Sequence, residues 1–133
     1  MELSSRSEHA LLVLLYLARQ DAGRHVTVEA IGSTQRIPPG LLEPILHALE
    51  GARYVRSQQG QQAGYRLAKR PCDITIAEVI RIFDGALAPT DSVSRYFFEP
   101  TALEQEKNLI RLFKQICKYV SGKLERTTLA DLR

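Results

Sequence analysis

The chain has 133 residues, 44% hydrophobic and 25% charged, which is enough apolar material for a single globular core. Its most apolar stretch, Ala10 to Ala18, is too short to cross a bilayer, and the first residues lack the pattern of a signal peptide. Two cysteines do not make a disulfide framework, so the sequence predicts a cytoplasmic protein that does not bind a membrane.

The net charge of +3 is distributed unevenly along the chain. Residues 1–70 contain nine Lys or Arg and six Asp or Glu, whereas residues 71–133 contain nine of each. Five cations follow one another without an intervening acid: Arg53, Arg56, Arg66, Lys69 and Arg70. A focused positive field of this kind attracts a polyanion, and the alternative interpretation is a solvated basic edge.

The first fifty residues predict three helices. Ser5 and Glu8 have the spacing of a capping box and open an apolar helix. Thr27 caps a second, short helix that extends to about Gln35. The prolines of residues 37–40 interrupt the helical pattern and can also open the next helix. The apolar residues of that third helix follow a helical period: Leu41, Leu42, Ile45, Leu46 and Leu49.

A β-hairpin is predicted after a helix stop signal at Gly51. Residues 54–57 and 65–67 have the composition of two short strands. The intervening residues 58–64 are polar and contain glycine, as expected of a hairpin tip.

The remaining residues predict a fourth helix, a linker and a long arm. Thr75 begins a capping box whose helix ends at Gly85. Residues 86–100 are the linker, and a further capping box at Thr101 begins a helix that extends to about Gly122. The apolar stripe of this helix consists of Leu109, Leu112, Phe113, Ile116 and Val120.

Three helices followed by a hairpin indicate a mainly α fold with a small β-hairpin wing, the winged helix-turn-helix. The predicted domains are a DNA-binding head at residues 1–85, a linker at 86–100, and a dimerisation helix with a short, helical tail at 101–133. In this fold the third helix enters the major groove, while the hairpin lies on phosphates.

Five segments of the chain, in the same order and with similar spacing, resemble the IscR/NsrR/CymR family of bacterial winged-helix transcriptional regulators. They are Met1–Arg6 with Ala10, Ile37–Leu46, Gly60–Ala68, Ile74–Ile80 and Thr128–Leu132. The resemblance implies a homodimer that is held by the long C-terminal helix. It also implies binding to a pseudo-palindromic promoter site in double-stranded DNA. A small-molecule or protein effector is a further candidate partner.

The positions that match the family indicate the DNA contacts. From these positions the implied contacts are Arg6, Pro38, Gly40, Leu41, Glu43, Pro44, Gln59 and Gly60. The basic segment adds Arg56 as a phosphate contact, and the helical pattern adds His47, for which a solvated surface position is the alternative. The apolar stripe from Leu109 to Val120 is the predicted dimer interface.

Three departures from the family pattern concern the DNA contacts. Gly40 and Leu41 offer no side-chain donor where relatives often carry Ser, Arg or Tyr. Pro44 lies about one turn inside its helix, which costs about 3 kcal/mol or more in a regular helix. Gln58 and Gln59 stand where an arginine commonly precedes the glycine. These residues favour shape-based recognition of DNA, or the alternative function of a protein-interaction module with weak DNA recognition.

Many relatives bind an iron–sulfur cluster through three cysteines in the linker, whereas residues 89–100 contain no Cys or His. We therefore predict a member of the family without a cluster, and no other cofactor or metal. Cys117 is expected to be a buried core or interface residue. Cys72 is a candidate redox-sensing thiol because Lys69 and Arg70 are close in sequence.

No arrangement of residues predicts an enzyme. His9, His25 and His47 lie on different predicted elements and lack the spacing of a helical metal site. Neither a nucleophile elbow nor a phosphate-binding loop is present. The pair Phe97–Phe98 in the linker either lines an effector pocket or packs against a second subunit, and both alternatives stay open.

Overall fold

A computed structural model describes residues 3–85 and 105–133. Its elements are α1 (Ser5–Ala18), α2 (Val28–Gln35), α3 (Pro39–Gly51), β1 (Val55–Gln58), β2 (Gly64–Leu67), a 3₁₀ turn (Pro71–Asp73), α4 (Ile76–Asp84), α5 (Lys107–Arg126) and α6 (Leu129–Leu132). The predicted class, mainly helical with one hairpin, is confirmed. Among the described helices, none has both the length and the apolar character needed to cross a membrane.

The helix starts follow from side-chain caps. Thr27 accepts a hydrogen bond from the N–H of Ala30 and caps α2 as predicted. Thr75 forms both bonds of its capping box at the start of α4. The predicted cap at Ser5 is wrong, because the hydroxyl of Ser4 accepts from the N–H of Ser7 at 3.2 Å and Ser5 is already helical.

One hydrophobic core joins α1, α2, α3, β1 and α4. Its largest fully buried side chains include Leu14, Ile31, Leu42, Ile45, Leu46, Leu49, Ile74 and Ile80. Apart from Ile74, which precedes α4, these residues lie on the inward faces of helices, so each helix buries one side and leaves the other in solvent.

The C-terminal segment packs against this same core. Leu129 of α6 is completely buried. Its N–H donates to the carbonyl of Ile74 at 3.0 Å, and the N–H of Ile76 donates to the carbonyl of Thr127 at 2.9 Å. The short helix expected at the end of the chain is thus present, and it docks beside the start of α4.

The hairpin is antiparallel, with Val55 opposite Leu67. The first strand begins at Val55, one residue later than predicted, because the N–H of Tyr54 donates to the carbonyl of Leu49 in α3 at 2.9 Å. Val26 extends the sheet on the side of β2, since it exchanges hydrogen bonds of 2.8 and 2.7 Å with Tyr65.

The long helix α5 begins at Lys107 and ends at Arg126, so its predicted bounds of Thr101 and Gly122 are wrong. Thr101, most of the linker and the pair Phe97–Phe98 lie outside the described residues. α5 packs against α4, to which it is tied by an ion pair between Arg81 and Glu125.

Candidate nucleic-acid interface

Helix α3 has one buried and one exposed face. Leu42, Ile45, Leu46 and Leu49 are buried against α1 and α2. The six residues at or on this helix that the sequence predicts as DNA contacts are all exposed: Pro38, Gly40, Leu41, Glu43, Pro44 and His47. The structure therefore brings these residues together on one surface.

The turn between α2 and α3 positions that surface. Arg36 closes α2 in the left-handed conformation, with φ of 57°, and the N–H of Ile37 donates to the carbonyl of Gly32 at 3.0 Å. Ile37 is buried, so the turn is anchored in the core. Pro39 then occupies the first position of α3, where a missing N–H costs little.

The outer face of α3 offers few hydrogen-bonding side chains. Pro44 is accommodated on the exposed side of a continuous helix, although it has no N–H for the carbonyl of Gly40 four residues before. Leu41, which lies next to Gly40 on this face, is 52% exposed. The hydrogen-bonding side chains among the predicted contacts of this helix are Glu43 and His47.

Two arginines lie directly opposite each other on the hairpin. Arg56 of β1 pairs with Arg66 of β2, so both side chains project from the same face of the ladder. Like charges in this position destabilise a sheet. In the described part of the chain, neither guanidinium forms an ion pair, and the guanidinium of Arg66 donates only to the carbonyl of Leu67 at 3.4 Å. A bound phosphate would relieve the repulsion.

The tip of the hairpin is exposed and sharply turned. Gln59 and Gly60 are both exposed, and Gly60 has a φ of 98°. The N–H of Ala63 donates to the carbonyl of Gly60 at 3.2 Å and closes the turn. The predicted contacts Gln59 and Gly60 thus project at the end of the hairpin.

The hairpin is adjacent to α3. Burial, and after it the carboxylates of Glu50 and Glu43, raises the pKa of Tyr65 on β2. α3 also packs directly against β1. The exposed face of α3 and the hairpin are therefore adjacent parts of one surface.

Part of the positive charge of the basic segment is offset by side chains that fold next to it, which the sequence pattern did not show. Arg70 forms an ion pair with Asp73 at 2.9 Å. The ammonium group of Lys69 lies 4.3 Å from the centre of the Tyr54 ring, as in a cation–π contact. Cys72 is exposed, and its sulfur lies 3.9 Å from a carboxylate oxygen of Asp73. The surroundings of this thiol therefore include an acid in addition to the cations expected from the sequence.

Arg6 is exposed near the start of α1, and its guanidinium lies 5.2 Å from the centre of the Phe83 ring on α4. This contact orients the side chain toward the end of α4. Arg6 therefore belongs to a different part of the surface than the hairpin tip.

The residues of the described segments do not fit the ligand set of an iron–sulfur cluster. Cys72 is exposed on the 3₁₀ turn, and Cys117 is half-buried on α5. Across residues 3–85 and 105–133, no three His, Cys, Asp or Glu side chains are grouped so that they could hold a metal ion. The chain has two cysteines in all, whereas a cluster that is held by thiolates alone takes four.

The known sequences that resemble this chain are transcriptional regulators. The model of the Rrf2 family, described as an iron-dependent transcriptional regulator, matches residues 3–133. A Mycobacterium tuberculosis protein that carries the name of an HTH-type transcriptional regulator is 33% identical over 136 residues, covering 99% of this chain and 81% of the relative. The regulator CymR of Bacillus subtilis is 28% identical over 133 residues, covering 99% of this chain and 89% of CymR.

Solved structures give the same result. The structure of CymR, the global cysteine regulator of B. subtilis, has a TM-score of 0.80 at 26% identity and covers 99% of this chain and 95% of CymR. IscR of T. potens shares the fold, with a TM-score of 0.76 at 23% identity over 99% of this chain and 85% of IscR. The predicted resemblance and the absence of an enzymatic function are confirmed. The chain belongs to the Rrf2 family of DNA-binding transcriptional regulators.

Proposed function

We propose that the chain is a homodimeric, sequence-specific regulator that represses transcription in the cytoplasm by occupying a pseudo-palindromic promoter site. The observation that carries the proposal is the juxtaposition of Arg56 and Arg66 on the hairpin, beside the exposed face of α3. An uncompensated pair of cations next to a projecting helix suits the phosphate backbone that flanks a major groove.

The side chains of α3 suggest how the groove is recognised. Glu43 can accept a hydrogen bond from the amino group of cytosine, and His47 can bond to a base edge or a phosphate. Leu41 and Pro44 can contact the methyl group of thymine. Gln59 and Gly60 would follow the backbone at the hairpin tip. With so few side-chain donors, DNA shape contributes to specificity at positions that the helix does not contact.

The proposed dimer interface is the exposed apolar stripe of α5. No residue of α5 is buried within the single chain. Leu109, Leu112, Ile116 and Tyr119 follow one another at helical spacing and are 36%, 48%, 42% and 72% exposed. Apolar residues aligned in this way indicate a surface that another protein covers.

The remaining two residues of the predicted interface lie on the adjacent, half-buried stripe. Phe113 and Val120 share that stripe with Cys117 and Leu124, at intervals of three and four residues. α4 is only about 14 Å long, against about 30 Å for α5, so it can cover at most half of the longer helix. A second α5 related by a two-fold axis would cover the rest in both subunits.

The proposed organisation is a head at residues 1–85, a linker at 86–100 and an arm at 101–133. α6 connects the arm to the core of the head through Leu129, so the orientation of the head depends on the position of α5. In the proposed repressor role, two heads bound about one DNA turn apart would act by covering the promoter DNA between them.

We further propose that the regulator operates without an iron–sulfur cluster, because it has only two cysteines. Protein purified without oxygen is expected to contain no stoichiometric iron and to show no cluster absorbance. A stoichiometric chromophore that is lost when Cys72 and Cys117 are replaced by Ser would contradict this, and would require ligands from both subunits.

The second candidate function is a protein-interaction module that keeps the fold. It is favoured by the apolar outer face of α3, where Leu41 and Pro44 are exposed. The basic hairpin favours DNA more strongly, since an apolar protein partner would leave the repulsion between Arg56 and Arg66 unrelieved.

A gel-shift experiment with the upstream region of the chain's own gene, combined with sedimentation, distinguishes the two functions. We expect a dimer that binds a site with two half-sites, whose centres are about 34 Å apart, and that reduces transcription from this promoter in vitro. Changing the half-site spacing by five base pairs should abolish the shift. A monomer, or a protein that binds no fragment at low salt, would refute the proposal.

A further inference from the structure

A pocket of about 320 Å³ lies on the head where three distant segments meet. The first is the end of α1 with the following loop, from Leu17 to Arg24. The second is the end of β2 and the residues after it, from Arg66 to Pro71. The third is Arg133, which follows α6. Pockets of this volume lie within the range that accommodates small ligands.

The lining of this pocket is strongly cationic. Its basic side chains are Arg24, Arg66, Lys69, Arg70 and Arg133. Asp21 is the carboxylate side chain among the described lining residues. Arg66 is half-buried and the other four are exposed, so solvent weakens the repulsion between these cations but leaves a positive potential in the pocket.

Local partners account for only part of this charge. Arg70 is paired with Asp73 outside the pocket, and the guanidinium of Arg133 donates to the carbonyl of Ala18 at 3.5 Å. The C-terminus of α1 supplies about half a negative charge. Together with Asp21, these groups offset about half of the positive charge, so the pocket retains a surplus that an anion can neutralise.

We propose that this pocket binds a small anion with at least two negative charges, such as a phosphorylated or polycarboxylate metabolite, and that its occupancy weakens DNA binding. The proposal rests on the DNA-binding function proposed above. Its direction follows from Arg66, which lines the pocket and also lies opposite Arg56 on the hairpin. An anion that bonds to Arg66 removes part of the charge that the wing presents to phosphate.

The pocket is also placed to connect the wing with the arm. Arg133 directly follows α6, and α6 is bonded to the start of α4 through Leu129 and Ile74. A ligand that bonds to both Arg66 and Arg133 therefore fixes the hairpin relative to the end of the arm. This gives the two sites a physical basis for coupling.

Titration calorimetry of the full chain with pyrophosphate, and separately with citrate, tests for the anion site. We expect one ligand per chain for at least one of these probes. Arg24→Gln and Arg133→Gln should each weaken binding about tenfold, because each removes a charge-assisted hydrogen bond. Arg19→Gln is the matched control, since Arg19 is an exposed cation that immediately follows α1 but does not line the pocket.

Two results would overturn the proposal. The first is that neither probe binds, and the second is that Arg133→Gln leaves the binding unchanged.

A gel-shift with the promoter fragment tests the coupling, in magnesium-free buffer with ionic strength held constant by NaCl. The probe that binds is expected to weaken DNA binding of the wild type on the order of fivefold or more. The Arg133→Gln variant should bind DNA normally and need about tenfold more probe for the same response. If both proteins bind DNA and respond alike, the pocket is not the site of action. A failure of the wild type to bind DNA at all would instead refute the DNA-binding function.

Discussion

A Cβ atom on Gly64 would lie 2.5 Å from the carbonyl oxygen of Val26. The two backbones are this close because Val26 and Tyr65 exchange two short hydrogen bonds that attach the hairpin to the segment before α2. Gly64 also has a φ of 152°, a conformation that side chains disfavour. The orientation of the wing therefore depends on glycine at this position.

Gly64→Ala is expected to lower the free energy of unfolding by at least about 3 kcal/mol, because strain at positive φ adds to a collision with rigid backbone. The control is Gly60→Ala, which shares the positive φ but meets no atom within 4 Å. It should cost only about 1 kcal/mol. Urea unfolding of both variants checks this prediction, and equal losses would show that the approach to Val26 is unimportant.

Acid should weaken the connection between the start of α1 and the end of α4. Asp84 accepts a hydrogen bond from the N–H of Ser4 at 3.0 Å. Partial burial raises the pKa of Asp84, but hydrogen bonds from Ser4 and Ser7 together outweigh it and lower the pKa below its ordinary value. Because the folded pKa lies below the ordinary value, the stabilisation is present above that value and is lost as the pH falls through the folded pKa.

The difference in urea midpoint between the wild type and Asp84→Asn measures this contribution. The amide keeps the shape of the side chain and removes its charge. We expect a constant difference from pH 5 to pH 8 that shrinks as the pH falls below the ordinary pKa of 3.8. A difference that is independent of pH would contradict the assigned role of the ionised carboxylate.

The C-terminal segment should contribute to the stability of the head. Leu129→Ala removes a completely buried side chain and is expected to cost about 2–5 kcal/mol. Leu132→Ala is the matched control, because Leu132 belongs to the same helix and is 49% exposed. Its effect should stay within about 0.5 kcal/mol. Similar losses in thermal or urea unfolding would show that α6 does not dock on the head.

Ile116→Glu should dissociate the dimer, because it places a carboxylate in the middle of the exposed stripe of α5. An unpaired charge in a buried interface costs several kcal/mol. Gln115→Glu introduces the same charge at the adjacent exposed position and should leave the dimer intact. Sedimentation equilibrium measures both. A dimeric Ile116→Glu protein with normal DNA binding would exclude this face as the interface.

The elements that the sequence predicted correctly are determined by residues close to one another in the chain. The caps at Thr27 and Thr75 are determined by hydrogen bonds within three residues, and the end of α4 at Gly85 by a bond to Arg81, four residues before. The exposed face of α3 follows from helical periodicity, because its buried positions repeat every three or four residues. These features required no knowledge of distant contacts.

The features that the sequence did not reveal depend on contacts between distant residues. The cross-strand pair of Arg56 and Arg66 requires the register of the hairpin, which a strand prediction shifted by one residue does not provide. The division of the α5 stripe into an exposed and a half-buried part depends on the position of α4. The cationic pocket unites residues more than one hundred positions apart, Arg24 and Arg133 among them.

The salt dependence of DNA binding tests the central claim most directly. The binding constant for the promoter fragment should fall by about 10³–10⁵ between 50 and 200 mM salt if the dimer contacts about 6–10 phosphates. Arg56→Ala should weaken binding to all sequences alike and reduce the slope of log K against log salt by about 2, one phosphate for each subunit. Arg19→Ala changes an exposed cation that follows α1 and is not among the predicted DNA contacts, so it should leave the slope unchanged. A wild-type slope near zero, or one that Arg56→Ala does not alter, would contradict the placement of the hairpin on the DNA backbone.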